Sequence, residues 1–334
     1  MTSLKDVAAL AGVSPSTVSR VINKTVRVND ETRKRVEEAI VAVNYRPNLL
    51  AQSLRLQTSK NIGLLVPEIA HPSFNLVIKY IEESAAKRGL NLFICDTQND
   101  YKREATAIDM LLRQKINGII LSRVSDESHV VNLSRSTNTP LVVIDRAFNN
   151  EKIPNIIVDN YYAGVLAAEH LIACGCKKIA TITGSFKICL CRERHQGFRD
   201  TIEKHGLECS RDLLHEGEFS FEEGVFGVRK FLDKGLEFDG LWGQNDLIAA
   251  GAITTLLRTG KRVPQDVAVM GMDDVQFASM YYPTITTIAQ PYQELCEKAV
   301  EYIDRLTNGE EIDPFQVRTE PHLVVRESTT GYKD

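Results

Sequence analysis

No stretch of the chain approaches the ~18 uninterrupted apolar residues that a membrane-spanning helix requires. The start, "MTSLKDVAALAGVS", places Lys5 and Asp6 ahead of any apolar run, so neither a signal peptide nor an anchor is expected and the protein reads as cytoplasmic. Equally missing are a Gly-rich phosphate loop, a His-Glu metal motif, a nucleophile elbow and a cysteine–histidine signature, and the seven histidines are dispersed. "GFRDTIEKHG" and "GVFGVRKF" contain glycines without the GxGxxG spacing. These absences argue against catalysis and against a resident metal or cofactor. Nor is there a disulfide framework: Cys95, Cys174, Cys176, Cys189, Cys191, Cys209 and Cys296 are an odd set scattered over 334 residues. The pairs "CGC" (174–176) and "CLC" (189–191) lack matched His or Cys partners for a metal and read as buried thiols.

What is present is unevenly distributed. The formal net charge is −4, yet residues 1–60 hold ten Lys/Arg against five Asp/Glu, leaving 30 against 39 in the remainder. A small basic head on an acidic body points to a polyanionic partner for the head alone. At 334 residues, 43% hydrophobic and 25% charged, the chain is long enough for two or three ordinary globular domains.

In the head, "SLKDVAALAGVSPSTVSRVIN" sets Leu4, Val7, Ala8 and Ala11 at helical spacing. Gly12 stops that helix, and Ser14-Pro15 opens a second with a cap followed by proline. Val18, Val21 and Ile22 form the apolar face of the second helix, which presents Ser16, Thr17, Arg20 and Asn23 on the other. A third helix, capped by Asn29 or Asp30, carries Val36, Ile40 and Val43 towards Asn44-Tyr45. This is a helix-turn-helix pattern over residues 1–46, with the second helix entering the major groove of DNA. Ser16 and Arg20 are the expected base readers, Arg20 the more discriminating because a guanidinium pairs bidentately with guanine, worth roughly 1–3 kcal/mol against a wrong base. Thr17, Asn23, Asn29 and Tyr45 suit phosphate contacts.

The linker 47–60 raises a separate question, because "RPNLLAQSLRLQTSK" is too apolar for a spacer. Pro47 suits the first turn of a new helix over residues 48–55, with Leu50 and Leu54 one turn apart. About eight residues fall well short of the ~12–15 at which an isolated helix becomes marginal, so its stability must come from outside. Two copies in a symmetric dimer can pack through Leu49, Leu50 or Ala51 and present Leu54 as a wedge between base steps in the minor groove. The plainer reading docks these leucines on the body.

From Asn61 onward, short apolar runs alternate with helical patterns. "NIGLLVP", "LNLFICD", "INGIILS" and "PLVVIDR" read as buried parallel strands with helices over 74–88 and 103–114 between them. "KKIATITG", "FDGLWGQ" and "DVAVMGMDD" form a second series, with helices near 161–174, 192–205, 222–234 and 245–259. A helix over 291–307 and a strand-like stretch 315–326 follow. The fold expected is a small all-α head on an α/β body of two doubly wound parallel-sheet lobes.

In order, "LKDVAALAGVSPSTVSRVIN", "NYRPNLLAQSLR", "NIGLLVP", "KINGIIL", "PLVVIDR", "VDNYYAG", "RERHQGF", "VPQDVAVMGMDD", "TTIAQP" and "VVREST" resemble the lactose-repressor/galactose-repressor (LacI/GalR) family of transcription factors over essentially the whole chain. The resemblance implies a sequence-specific regulator, a repressor by default. Its operator affinity would be set by a small molecule bound between two body lobes like those of periplasmic sugar-binding proteins. It implies a homodimer on a palindromic operator, a hinge helix that folds on DNA with Leu54 as its wedge, and no membrane partner. It further implies an N-lobe of about 61–160 plus 291–319 and a C-lobe of about 161–290 plus 320–330, joined by three crossovers. Effector contact is carried to Phe74, Arg146, Arg194, Phe219, Asn245 and Asp273. Asn245 serves equally well as a helix cap, and core is the commoner fate of aromatics such as Phe74 and Phe219. The loop "FKICLCRER" (186–194) makes an apolar wall with Lys187, Arg192 and Arg194 around it, which leaves room for an anionic effector such as a sugar phosphate, a sugar acid or a purine. The five residues "TGYKD" after the last motif are too short for a tetramerising coil, favouring a dimer. The competing class is a small-molecule binding protein without a DNA role, against which the basic head speaks.

Overall fold

The computed structural model describes residues 3–23, 28–45, 59–124, 139–146 and 153–330. Two units divide the chain, Met1–Ser59 and Lys60–Asp334. In the first, helix α1 (Leu4–Ala11) begins where Ser3 and Asp6 cap each other reciprocally and ends at Gly12, whose φ of 63° is the left-handed conformation glycine adopts without strain. Ser14 starts α2 (Pro15–Asn23), its hydroxyl accepting from Thr17 N at 3.2 Å. Asn29 caps α3 (Asp30–Ala42), its Oδ1 accepting from Thr32 N at 2.8 Å. Val7, Ala8, Ala11, Val18, Val36 and Ala39 close a small core between the three. The linker leucines Leu49, Leu50 and Leu54 lie outside the described residues.

Among its described residues the second unit holds strands β1–β12 and helices α4–α11, numbered in chain order. One sheet contains β1 (Asn61–Val66), β2 (Asn91–Asp96), β3 (Gly118–Ser122), β4 (Leu141–Ile144), β5 (Asn155–Val158) and β11 (Gln316–Thr319), in the order β11-β5-β4-β3-β1-β2, all parallel. The other contains β6 (Ile179–Thr183), β7 (Leu214–Glu216), β8 (Gly240–Gly243), β9 (Ala268–Asp273), β10 (Thr286–Ala289) and β12 (His322–Val324), in the order β12-β10-β9-β8-β6-β7. There β12 alone runs antiparallel, paired with β10. The helices are α4 (Pro72–Lys87), α5 (Tyr101–Arg113), α6 (Asn160–Ala173), α7 (Cys189–Lys204), α8 (Phe221–Asp233), α9 (Asp246–Arg258), α10 (Tyr292–Thr307) and the short α11 (Glu327–Thr330).

Alternation along the strands decides which helices cover which face. In the first lobe Ile62, Leu64 and Val66 meet Val77 and Ile81 of α4 and Val300 and Ile303 of α10, whereas Leu65, Ile119 and Leu121 meet Ile108 and Leu111 of α5. In the second, Ile182 and Leu241 face α8 and α9, while Trp242 and Met270 face α6 and α7 through Ala167, Leu171, Phe198 and Ile202. Burying both faces explains why most of these strands read as continuous apolar runs. The run "LNLFICD" departs from that expectation. As β2 it is an edge strand among the described residues, and Phe93 and Ile94 remain 38% and 42% exposed. Its composition matches that of a central strand, with no lysine or proline in the run to mark it as an edge.

The chain passes between lobes at Asp159, at Gln290-Pro291 and at Glu320-Pro321, so α10 and β11 return to the first lobe and β12 to the second. Two helix pairs in the second lobe approach through glycine. A Cβ at Gly164 would collide with the carbonyl oxygen of Arg194, and one at Gly197 with that of Tyr161. Across the sheet, Gly224 faces the carbonyl of Ile248 and Gly251 that of Phe221 in the same reciprocal way.

Candidate functional site

In the first unit Ser16 and Arg20 are exposed on α2 and Thr17 is half-buried, its hydroxyl 2.9 Å from that of Ser14. The side chain of Asn23 lies outside the described residues. Asn29 is exposed with its Oδ1 engaged as the α3 cap. Tyr45 packs its ring against the head core.

The second unit contains a cavity of about 460 Å³ between the carboxyl ends of the two sheets, within the range of small-molecule sites. Loops after β1, β4, β6, β7, β8 and β9 supply its walls, as the geometry of doubly wound sheets requires. Phe74, Arg146, Arg194, Phe219, Asn245 and Asp273 all line it. Arg194, 3% exposed on α7, donates from Nε to Asn160 Oδ1 at 2.8 Å and from Nη1 to Gln244 O at 2.9 Å, and its guanidinium lies 6.0 Å from the Phe219 ring centroid. Arg146 donates from Nη1 to the carbonyls of Arg123 and Val124 at 2.9 and 2.6 Å, while its buried Nε has no hydrogen-bond acceptor. Asp273 closes β9 with a φ of 114° and accepts on Oδ1 from Gln290 Nε2 at 2.5 Å and Tyr292 OH at 3.2 Å. Burial raises its carboxyl above the ordinary range, and the Arg194 charge and those two hydrogen bonds oppose the rise.

Asn245 both caps and lines. Its Oδ1 accepts from Ile248 N at 2.8 Å at the start of α9, and its Nδ2 donates to Phe219 O at 3.2 Å. The neighbouring Asp246 is structural, accepting from Thr287 Oγ1 at 2.6 Å and Val275 N at 2.9 Å, with burial first and the Asp273 charge second holding its carboxyl well above the usual range. Phe74 packs partly against the first-lobe core and Phe219 partly against the second, so each serves as wall and as core edge. His71, Gln290 and Tyr292 line the cavity as well, and the sequence reading missed them. His71 had a legible signal: it directly precedes Pro72 in the loop after the first strand, a helix-capping place at the ligand edge.

The expected cationic rim does not form. Ile188 and Leu190 line the cavity, but Lys187 and Arg192 do not, because α7 begins at Cys189 and Arg192 Nη1 turns back to Phe186 O at 2.5 Å. The lining instead carries Glu68, Asp145, Glu218, Glu222 and Asp273 against Arg146 and Arg194.

Residues 3–48 match the profile described as bacterial regulatory proteins of the lacI family, and residues 59–320 match that of periplasmic binding proteins and the sugar-binding domain of the LacI family. The chain belongs to the LacI family. Its curated relatives include the HTH-type transcriptional repressor PurR of Haemophilus influenzae (strain PittEE), 35% identical over 333 residues, and that of Mannheimia succiniciproducens, 33% identical over 330 residues, each covering 98% of both chains. Among solved structures, a lac repressor dimer bound to operator and the anti-inducer ONPF is 28% identical with a TM-score of 0.88, covering 98% of this chain and 99% of that one. A transcriptional regulator CelR–cellobiose complex is 29% identical with a TM-score of 0.76, covering 98% and 100%. This LacI-family protein is an effector-regulated transcriptional repressor, DNA-binding through its helix-turn-helix head, and not an enzyme. No helix among the described residues of the repressor is long and apolar enough to cross a membrane, and no His/Cys/Asp/Glu group among them is arranged to hold a metal ion. Of the two cysteine pairs expected to be buried, only Cys176 and Cys191 are, and burial pushes their thiols up to about 12 and about 11, whereas Cys174 is exposed and Cys189 half-buried.

Proposed function

We propose that the repressor binds a palindromic operator as a homodimer and that a neutral, hydroxyl-rich effector with a flat apolar face occupies the cleft. The observation that carries the effector class is the balance of its walls, five carboxylates against two guanidiniums, each guanidinium already donating to protein oxygens. A dianionic phosphate would meet mostly like charge, whereas hydroxyls both donate and accept and so suit carboxylate, amide and arginine together. Phe74 and Phe219 would cover the ligand's apolar face, Asn245 and Asp273 take its hydroxyls, and Arg194 and the Nε of Arg146, which lies 3.9 Å from Asp145 Oδ2 without a hydrogen bond, donate to its oxygens.

On DNA, Ser16 and Arg20 would read base edges while Thr17, Asn23, Asn29 and Tyr45 hold phosphates, and Leu54 would wedge a base step where two linkers meet. The exposed apolar edge at Phe93 and Ile94 supports self-association through the first lobe. Selection of sites from a random duplex pool, followed by titration of the selected duplex with neutral sugars, sugar phosphates and purines at two salt concentrations, tests the reading. A palindrome with a steep salt dependence and an affinity shifted by a neutral sugar is expected. A response confined to anionic ligands overturns the effector class, and the absence of any enriched site overturns the operator reading.

A further inference from the structure

The two lobes are joined across the cleft by a hydrogen bond between helix caps. His71 is the N-cap of α4 in the first lobe and Asn245 the N-cap of α9 in the second, and His71 Nε2 lies 3.0 Å from Asn245 Nδ2. The orientation of Asn245 follows from two other partners: Oδ1 accepts from Ile248 N, and Nδ2 donates to Phe219 O. Its Nδ2 is therefore the donor towards His71, and His71 Nε2 must be the unprotonated nitrogen. The ring proton then sits on Nδ1, which donates to Ser73 Oγ at 2.7 Å, leaving the 3.4 Å approach of Ser73 N to that nitrogen a contact without a bond. Ser73 in turn reaches the Tyr292 hydroxyl, which donates to Asp273 of the second lobe.

We propose that His71 is a positioning residue of the effector cleft, whose neutral imidazole ties the cap of α4 to the cap of α9 and holds the lobes together until the ring is protonated. A protonated ring would offer Nε2–H to an amide N–H, and Asn245 cannot turn its oxygen round without abandoning both the α9 cap and Phe219. The groups facing the ring are Glu68 from the loop after β1, Asp145 and Arg146 after β4, and Arg194 on α7, with Tyr292 of α10 reached through Ser73. Burial outweighs the carboxylates among them and keeps the ring below its ordinary 6.5, so it is neutral at pH 7 and protonates on acidification. Resting on the effector reading above, the consequence is that effector affinity falls as pH falls.

Amide hydrogen exchange in the unliganded full chain tests this without knowledge of the effector. Protection in the first turns of α4 and α9 is compared between the wild type, His71→Asn and His71→Gln at about pH 7.5 and at the lowest pH at which all three proteins remain folded, where intrinsic exchange cancels between proteins at each pH. His71→Asn keeps a good cap but is too short to cross the cleft, while His71→Gln is long enough to offer an Oε1 acceptor to Asn245. The expected wild type is protected about fivefold more than His71→Asn at the higher pH, the worth of one net hydrogen bond. It falls to the Asn level at the lower pH, with His71→Gln protected at both. Equal protection of wild type and His71→Asn at both pH values overturns the latch, as does a wild type that stays level with His71→Gln on acidification. Failure of the ligand panel would leave this comparison standing, and loss of the latch would leave the effector reading standing.

Discussion

Arg194 Nε and Asn160 Oδ1 are joined by a 2.8 Å hydrogen bond, which ties a cleft residue on α7 to the first residue of α6, immediately past the Asp159 crossover. The same guanidinium holds Gln244 O at the end of β8. A side chain that lines the cleft is thus also a strut for the backbone at the lobe boundary. Lysine has no planar fork and can serve one acceptor well but not both. Arg194→Lys is therefore expected to lower stability by about 1–3 kcal/mol and to reduce the effector's influence on operator affinity at least about tenfold. Thermal unfolding and operator titration with the ligand panel read the two losses, and a variant with an unchanged effector response refutes the role.

The reciprocal glycines predict a large effect from a small change. Gly164→Ala or Gly197→Ala places a methyl group against backbone carbonyl oxygen, where no side-chain rotamer can yield. Each should cost at least ~1–3 kcal/mol by overpacking, measured as a lower urea midpoint, and Gly224→Ala and Gly251→Ala should behave alike. A control at Gly260, whose added Cβ would meet nothing within 4 Å but whose φ is +82°, isolates backbone strain from collision.

Asp273 predicts a direction of pH dependence. Its carboxyl is raised from the ordinary 3.8, so the folded chain holds a proton there that the unfolded chain has released. Stability from this group is greatest below the unfolded value and declines as pH rises through the raised folded value. Asp273→Asn keeps an Oδ1 acceptor for Gln290 and Tyr292 without the charge. Urea midpoints from pH ~4 to pH ~7 should therefore show the wild type losing stability relative to the variant as pH rises. A constant or opposite difference contradicts the raised carboxyl.

The DNA side is tested by two substitutions with different signatures. Arg20→Ala should cost about 1–3 kcal/mol and relax preference at one base of each half-site. Leu54→Ala should leave the urea midpoint unchanged and weaken operator binding strongly, with less bending of the duplex. Unchanged operator affinity in Leu54→Ala removes the wedge from the mechanism.

Long, periodic features were legible in the sequence. The bounds of α4, α5 and α10 lie within two residues of those expected, because their amphipathic repeats run for 13 to 16 residues. The four-residue strands β5 and β10 and the three-residue β7 escaped, since so few residues carry no period. The strand-like 315–326 resolved into β11 and β12 in different sheets, a division that depends on partners far away in sequence. Motifs brought Arg146, Arg194, Asn245 and Asp273 to notice. His71 carried a local signal in its place before Pro72, but its pairing with Asn245, 174 positions later, left none.

The late return of the chain also bears on how the molecule is made. The first lobe lacks α10 and its edge strand β11 until residue 319 has emerged from the ribosome, and the second lacks β12 until residue 324. A nascent chain stopped at Gln290 would expose the α10-facing side of one sheet and leave the β10 edge of the other unpaired. The two lobes therefore come to completion almost together, within a few residues of synthesis. Termination between β10 and β11 releases two unfinished sheets rather than one finished domain.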